Sequence, residues 1–155
     1  MRAAESGKIS DSSAPVHTVT VERPRTFADS NVPLYIVSDD KKKAAMAEAI
    51  VRAHAFVSVQ VLNEIANVLH LKRKFPWGKI EPFLRLIRSL CPVEPLTVES
   101  HEIARRIADR YKLQFYDSLI AASALRAGCD TLYSEDMQHG LLLEGQLRIV
   151  DPFAP

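Results

Sequence analysis

The sequence predicts a single α/β domain with a mostly parallel sheet and helices on both of its faces. Short apolar or β-branched segments alternate with helical segments of roughly 10 to 15 residues, which is the pattern of parallel strands joined by crossover helices. The chain has 155 residues, of which 47% are hydrophobic and 25% are charged, and this suffices for one core. No apolar run approaches the roughly 18 residues of a membrane span, so a membrane-spanning protein is excluded.

Charge and cysteine content reduce the number of function classes that the sequence allows. The formal net charge is +1, so the chain has no strongly basic overall field for nucleic acid or lipid. An anionic partner must therefore be held by a local patch or by a bound cation. The two cysteines, Cys91 and Cys129, form no CxxC motif, and no histidine is spaced for zinc. We interpret them as buried thiols of a cytoplasmic protein, because the first residues do not resemble a secretory signal.

The first 25 residues differ from the rest of the chain. They are rich in Ser, Thr, Pro and charged residues, and they contain too few apolar residues to offset the entropy cost of ordering. We predict that residues 1–25 form a flexible arm and that residues 26–155 form the folded domain. The alternation in residues 17–22 leaves a short edge strand open as an alternative.

Within the folded domain, residues 30–33 predict a turn or a first helical turn after the first strand. The segment at 117–127 is apolar on nearly every side, which predicts a buried helix, and Gly128 is its stop signal. The predicted strands are 26–29, 55–59, 93–97, 131–133 and 146–150, and the predicted helices are 41–54, 61–74, 76–90, 98–112 and 117–127.

Acidic residues lie at the ends of predicted strands and at the starts of predicted helices. Asp29 ends the first strand, and Glu135 and Asp136 follow the strand at 131–133. Glu64 lies near the start of the helix after the second strand, and Asp117 begins the buried helix. Because the carboxyl ends of parallel strands share one edge of a sheet, we expect these side chains to converge. Two carboxylates about 5 Å apart repel by about 3 kcal/mol at an effective dielectric of 20, so the group should take up protons or a cation. An all-oxygen set suits Mg²⁺ or Mn²⁺, and such a site suits phosphodiester hydrolysis. The acids are Asp29, Glu64, Asp117, Glu135 and Asp136.

Each acid also has a local explanation. Asp117 precedes a predicted helix and would be a good N-cap. Glu64 would interact with a helix dipole, although the helical periodicity places it at the border of the buried face. Asp29 fits an Asx turn, and Glu135 and Asp136 fit a turn before a glycine. These roles do not explain why all the acids fall at one edge.

Four segments resemble the PIN-domain ribonucleases, and the nearest branch is that of the VapC-type toxins of toxin–antitoxin pairs. The segments are 27–32, 57–64, 110–120 and 133–140, and the resemblance covers about residues 26–153. It implies a PIN-like three-layer α/β/α sandwich with a central mostly parallel sheet. The 25-residue arm departs from the family, whose members usually reach their first aspartate sooner.

The resemblance also implies an activity. It makes the chain a Mg²⁺- or Mn²⁺-dependent endoribonuclease whose substrate is RNA, with a VapB-type antitoxin and a second copy of the chain as protein partners. The implied catalytic and metal-binding residues are Asp29, Glu64, Asp117 and Asp136. The implied supporting residues are Ser30, Asn31, Ser134 and Glu135.

The candidate residues for contacts with RNA each have a second, structural explanation. Lys72, Arg73 and Lys74 suit RNA phosphates but also suit the C-terminus of a helix. The rings of Tyr35, Trp77 and Tyr116 suit stacking on bases, but we predict that they pack in the core. The alternative function is a non-catalytic RNA-binding or Mg²⁺-binding regulatory module of the same fold.

Overall fold

The protein is described here by a computed structural model that covers residues 13–15 and 23–155. The edge strand considered at 17–22 lies outside the described residues, as does most of the predicted arm. Arg25 already contacts the domain, since its guanidinium donates to the carbonyl oxygen of Ala127 at 3.1 Å and its own carbonyl accepts from the amide of Asp130. In this described part of the chain, no helix has the length and apolar character to cross a membrane.

The elements alternate as the sequence predicts, with short strands and longer helices. The strands are β1 (Thr26–Ala28), β2 (Val57–Ser58), β3 (Val93–Glu94), β4 (Thr131–Tyr133), β5 (Leu142–Leu143) and β6 (Leu147–Val150). The helices are α1 (Asn31–Tyr35), α2 (Lys41–Arg52), α3 (Val59–Asn67), α4 (Trp77–Leu90), α5 (Val98–Tyr111) and α6 (Phe115–Arg126). A π-helical turn, Val68–Lys72, directly continues α3.

The sheet is parallel except at one edge. Strands β1, β4 and β6 are parallel neighbours, and β5 lies antiparallel beside β6. The parallel pair of β2 and β3 joins β1 through a bridge between Phe27 and Phe56, so the combined order is β3-β2-β1-β4-β6-β5. The mostly parallel sheet is thereby confirmed. The bridge places the ends of β1, β2 and β4 side by side.

Two groups of helices complete a three-layer α/β/α sandwich, as predicted. Helix α6 packs on α5 and contacts β2, β3 and β6, whereas α1 to α4 contact one another and the strands β1 and β2. Helix α6 is buried from Ser118 to Ala124, and five of these seven residues are serine or alanine, whose small side chains allow close packing. Gly128 ends this segment with a φ of +72°, which agrees with the predicted stop signal.

The structure corrects several expectations about local structure. The predicted helix at 61–74 is α3 followed by the π-helical turn, and the last helix begins at Phe115, two residues earlier than predicted. Core packing is wrong for Trp77 and Tyr116, which are 56% and 64% exposed, while Tyr35 packs partly against the core. Both Cys91 and Cys129 are buried free thiols, as predicted.

Candidate active site

Four carboxylates from distant parts of the chain line one pocket of about 270 Å³. Asp29 follows β1, Glu64 lies in the second turn of α3, Asp117 lies in the first turn of α6, and Asp136 follows β4. The adjacency of β1 and β4 brings the first and last of these together, and α3 and α6 supply the others. The remaining lining residues are Ser30, Asn67, Val68 and Lys72.

Asp29 is the buried member of the group. Its side chain accepts hydrogen bonds from the amide of Ser30 at 2.7 Å and from the hydroxyl of Ser134 at 2.8 Å. The pKa of Asp29 is raised to about 7, mainly by burial and also by the nearby charges of Glu64 and Asp117, against the two hydrogen bonds, which lower it. The fold therefore holds a carboxyl group whose ionisation is costly in the absence of a positive charge.

Asn31 and Ser134 link the loop after β1 to the loop after β4. The amide group of Asn31 donates to Asp29 at 3.3 Å and to Asp136 at 3.1 Å, and its carbonyl oxygen accepts from the backbone amide of Glu135 at 3.2 Å. The hydroxyl of Ser134 accepts from the amides of Asp136 and Met137. These contacts set the distance between the carboxylates of Asp29 and Asp136, which lie far apart in the sequence.

Asp117 does not cap its helix. The N-cap position of α6 is Gln114, which makes no side-chain capping bond, and Asp117 is the third residue of the helix. Its half-buried carboxylate is left to the pocket, where burial raises its pKa and the charges of Glu64 and Asp136 raise it further. The capping role considered from the sequence is therefore wrong.

Glu64 is likewise not needed to begin its helix. Ser58 is the N-cap of α3 and accepts from the amide of Val61 at 3.2 Å. The side chain of Glu64 is half-buried, and its one hydrogen bond within the described residues is a long one of 3.5 Å from Gln60. Its carboxylate thus remains available at the wall of the pocket.

Glu135 lies apart from the four carboxylates. Its carboxylate forms an ion pair with Lys43 at 2.7 Å and accepts from the hydroxyl of Tyr35. Burial alone would raise the pKa of Glu135, but these two hydrogen bonds lower it overall. The side chain lines a separate small cavity with Arg73, so it supports the site only through its backbone bond to Asn31.

The three basic candidates at the end of the π-helical turn have different surroundings. Lys72 is exposed and lines the acidic pocket. The guanidinium of Arg73 donates to the carbonyl oxygen of Val37 at 3.0 Å, and Lys74 adopts a left-handed backbone with a φ of +57°. Lys72 is therefore the one of these three that the structure brings to the carboxylates.

Sequence reasoning missed Asn67 and Val68 as lining residues. They lie three and four positions after Glu64, which is the spacing of one helical turn and would have placed them on the same face. The π-helical turn begins at Val68, and π-helical turns occur often at functional sites.

The donor set fits a hard divalent cation in its chemistry, since it consists of carboxylate oxygens. As the side chains stand, residues 13–15 and 23–155 contain no group of three Asp, Glu, His or Cys side chains positioned to hold an ion. Asp29 is fixed by its hydrogen bonds, whereas Glu64, Asp117 and Asp136 are half-buried or exposed. Binding of an ion by this set would therefore require a change in side-chain positions, for which the exposed and half-buried members have more freedom than Asp29.

The comparison with protein families decides the classification. The model of the PIN domain matches residues 26–139. This chain belongs to the PIN domain family. No curated protein sequence matches it. The match contains the four carboxylates of the pocket and begins at the first residue of β1.

Several solved structures share this PIN fold at low sequence identity. VapC20 of Mycobacterium tuberculosis, described as a sarcin-ricin loop cleaving toxin, has a TM-score of 0.59 and 18% identity over 72% of this chain and 89% of its own. A toxin–antitoxin complex from Klebsiella pneumoniae has a TM-score of 0.62 and 17% identity over 83% of this chain and 98% of its own. FitAB bound to a DNA fragment has a TM-score of 0.63 and 16% identity over 84% and 96%.

The pKa of Asp29 predicts how stability depends on pH without a metal ion. The pKa is about 7 in the folded chain against 3.8 ordinarily, so between about pH 4 and pH 7 the folded state binds more protons than the unfolded state. The contribution of Asp29 to the free energy of unfolding should therefore fall as pH rises through this window, by about 1.4 kcal/mol per unit of pKa difference. Urea unfolding in EDTA at several pH values measures it.

The control for this experiment is a pair of variants, Asp29→Asn and Asp29→Ala, because each changes the hydrogen bonds from Ser134 and Ser30 in a different way. Both should lose the part of the pH slope that wild type shows between pH 4 and pH 7. Equal slopes in wild type and both variants would contradict the raised pKa of Asp29.

Proposed function

We propose that this PIN-domain chain is a metal-dependent endoribonuclease that cleaves RNA phosphodiester bonds as the toxin of a VapBC-type pair. The observation that carries the proposal is the convergence of four carboxylates, from four separate elements, on one pocket. A structural role does not account for this convergence, because Asp117 and Glu64 do not cap their helices and repulsion among the acids is destabilising.

Asp29, Glu64, Asp117 and Asp136 would hold Mg²⁺ or Mn²⁺. When bound, this ion supplies the positive charge that attracts a phosphodiester and favours attack on phosphorus by a hydroxide. Asp29 provides the fixed point of the site because Ser30 and Ser134 orient its carboxylate. Asn31 holds Asp136 against Asp29.

Lys72 is the one basic residue among the described residues that line the acidic pocket. We infer that its ammonium group contacts a phosphate of the RNA next to the cleaved bond. Arg73 and Lys74 would add weaker, long-range attraction, since Arg73 is already hydrogen-bonded to Val37. With a net charge of +1, the chain depends on such local groups and on the cation to bind RNA.

The protein partner would be an antitoxin of the VapB type. A groove between α3 and α4 is lined by apolar side chains, including Leu62 and Leu84, and by Arg85 and Arg88. Such a groove suits the apolar face of an amphipathic helix with acidic residues at its border. The chain would also form a homodimer and act in the cytoplasm, where Cys91 and Cys129 stay reduced.

A second candidate function is a non-catalytic RNA- or Mg²⁺-binding module of the same fold. The observation that favours its RNA-binding form is that no three carboxylates among the described residues are positioned to hold an ion. The two functions differ in whether RNA is cleaved when a divalent cation is added.

Replacing Asp117 with Asn should abolish cleavage without unfolding the chain. Even changes in the surroundings of metal ligands cost about 10- to 100-fold in activity or affinity, so removing a ligand charge should reduce the rate by more than roughly 100-fold. The rate is measured on a structured RNA in Mg²⁺ or Mn²⁺, with EDTA as the negative condition.

Asp109→Asn is the matched control, because Asp109 is an exposed acid of α5 whose side chain is paired only with Lys112, by one ion pair of 3.4 Å, among the described residues. It should cleave at the wild-type rate. If Asp117→Asn also cleaves at that rate, Asp117 has no catalytic role. If wild type cleaves no RNA in either metal, the non-catalytic function is the better description.

Mg²⁺ should stabilise the folded chain. At a concentration 100 times the dissociation constant, binding adds about 2.7 kcal/mol to the free energy of unfolding, which for a chain of this size is a rise in Tm of several degrees. Thermal unfolding with MgCl₂, with MnCl₂ and with KCl at equal ionic strength measures this. Asp29→Asn should lose most of the rise, and an equal rise in KCl would show that the effect is screening alone.

A further inference from the structure

Helix α3 carries an uncharged polar stripe beside the acidic pocket. Gln60, Asn63 and Asn67 follow the spacing i, i+3 and i+7, with Glu64 between them, so the four lie on one face of the helix. The apolar residues Val61 and Ile65 on the other side are fully buried. A stripe of amides, rather than of lysines and glutamates, is not explained by solubility alone.

This stripe and Tyr116 of α6 line a second cavity of about 490 Å³. Two of its lining residues, Glu64 and Asn67, also line the acidic pocket. The two cavities therefore adjoin. A strand of RNA whose phosphate lies at the carboxylates would place a neighbouring nucleotide within reach of the second cavity.

The lining of the second cavity has the chemistry to bind a nucleobase. Asn63 and Asn67 are exposed and make no side-chain hydrogen bond within the described residues, so their donors and acceptors are available. Tyr116 is 64% exposed, and its ring is held by an edge contact with Phe115 at 5.8 Å between centroids. Amides read the edges of unpaired bases, and aromatic rings stack on their faces.

Other ligands fit this cavity less well. A phosphate is disfavoured, because the described residues that line the cavity include the carboxylate of Glu64 and no lysine or arginine. An apolar peptide segment is disfavoured, because four of the five lining residues carry amide or carboxylate groups. A flat, neutral, hydrogen-bonding group satisfies both the ring and the amides.

We propose that the second cavity is a nucleobase subsite, which binds an unpaired base next to the cleaved phosphate and so sets the sequence preference of the enzyme. Tyr116 stacks on the base, and Asn63 with Asn67 hydrogen-bonds to its edge. This inference rests on the proposed ribonuclease function, and it adds to that function the residues that select the RNA.

The first test measures binding without cleavage. In an Asp136→Asn background, single-stranded hexaribonucleotides that are made abasic at each position in turn are titrated in Mg²⁺, with fluorescence anisotropy as the readout. One position should contribute most, and Tyr116→Ala should weaken binding of the intact strand by roughly 5- to 100-fold, which corresponds to one stacked base. The strand that is abasic at that position should bind with equal affinity to the Asp136→Asn protein and to the protein that also carries Tyr116→Ala.

Three further variants separate stacking and base-edge contacts from general structure. Tyr116→Phe should retain the affinity of the intact strand, since it keeps the ring. Trp77→Ala removes an exposed ring that stacks on His70 at 4.4 Å and lies outside both cavities. It should therefore leave unchanged the difference in affinity between the intact strand and the strand that is abasic at that position. Asn63→Ala should reduce the difference in affinity among the four bases at that position.

The second test compares cleavage sites in a pool of randomised RNA loops. Tyr116→Ala and Asn63→Ala should flatten the base preference beside the cleaved bond, while Trp77→Ala should not. If wild type cleaves RNA but no single base couples to Tyr116, or if Trp77→Ala alone alters the preference, the subsite proposal is overturned and the ribonuclease function stands. If wild type neither binds nor cleaves RNA, both are overturned.

Discussion

Repulsion among four carboxylates is the constraint around which the rest of this structure is arranged. Like charges about 5 Å apart cost about 3 kcal/mol at a moderate dielectric, and burial of Asp29 adds a desolvation cost. The fold offsets part of this with directed donors, namely the backbone of Ser30, the hydroxyl of Ser134 and the amide of Asn31. The described residues of the pocket wall include no arginine and one lysine, Lys72, so these residues leave a deficit of positive charge at the carboxylates.

The parallel sheet explains how distant residues reach this pocket. Because β1 and β4 are adjacent and run in the same direction, Asp29 and Asp136 follow strand ends that lie side by side. The bridge between Phe27 and Phe56 then brings β2, and with it the start of α3, to the same edge. A shift in register between β1 and β4 would separate Asp29 from Ser134, so the strand pairing and the electrostatics of the site depend on each other.

The sequence predicted the parts of the fold that local pattern determines. The alternation of strands and helices gave the parallel sheet, and Gly128 marked the end of α6. It did not reveal β5, a two-residue strand whose turn to β6 depends on left-handed backbone at Glu144 and Gly145. It grouped Glu135 with the neighbouring acids, because the ion pair with Lys43 joins residues far apart in sequence. Core packing was the wrong expectation for Tyr116, since aromatic character alone does not distinguish a core ring from an exposed one.

The exposed position of Tyr116 follows from the direction in which Asp117, the next residue of α6, points. Phe115 begins α6 and contacts both His101 and Tyr116, while Asp117, on the next position, turns into the acidic pocket. Successive residues of a helix point about 100° apart, so a helix that directs Asp117 at the carboxylates presents Tyr116 at the side of that pocket. The amides of α3 lie at the same side because the full burial of Val61 and Ile65 fixes the rotation of that helix and turns its polar side toward the two cavities. The orientations that gather the acids therefore also place a ring and a row of amides beside them.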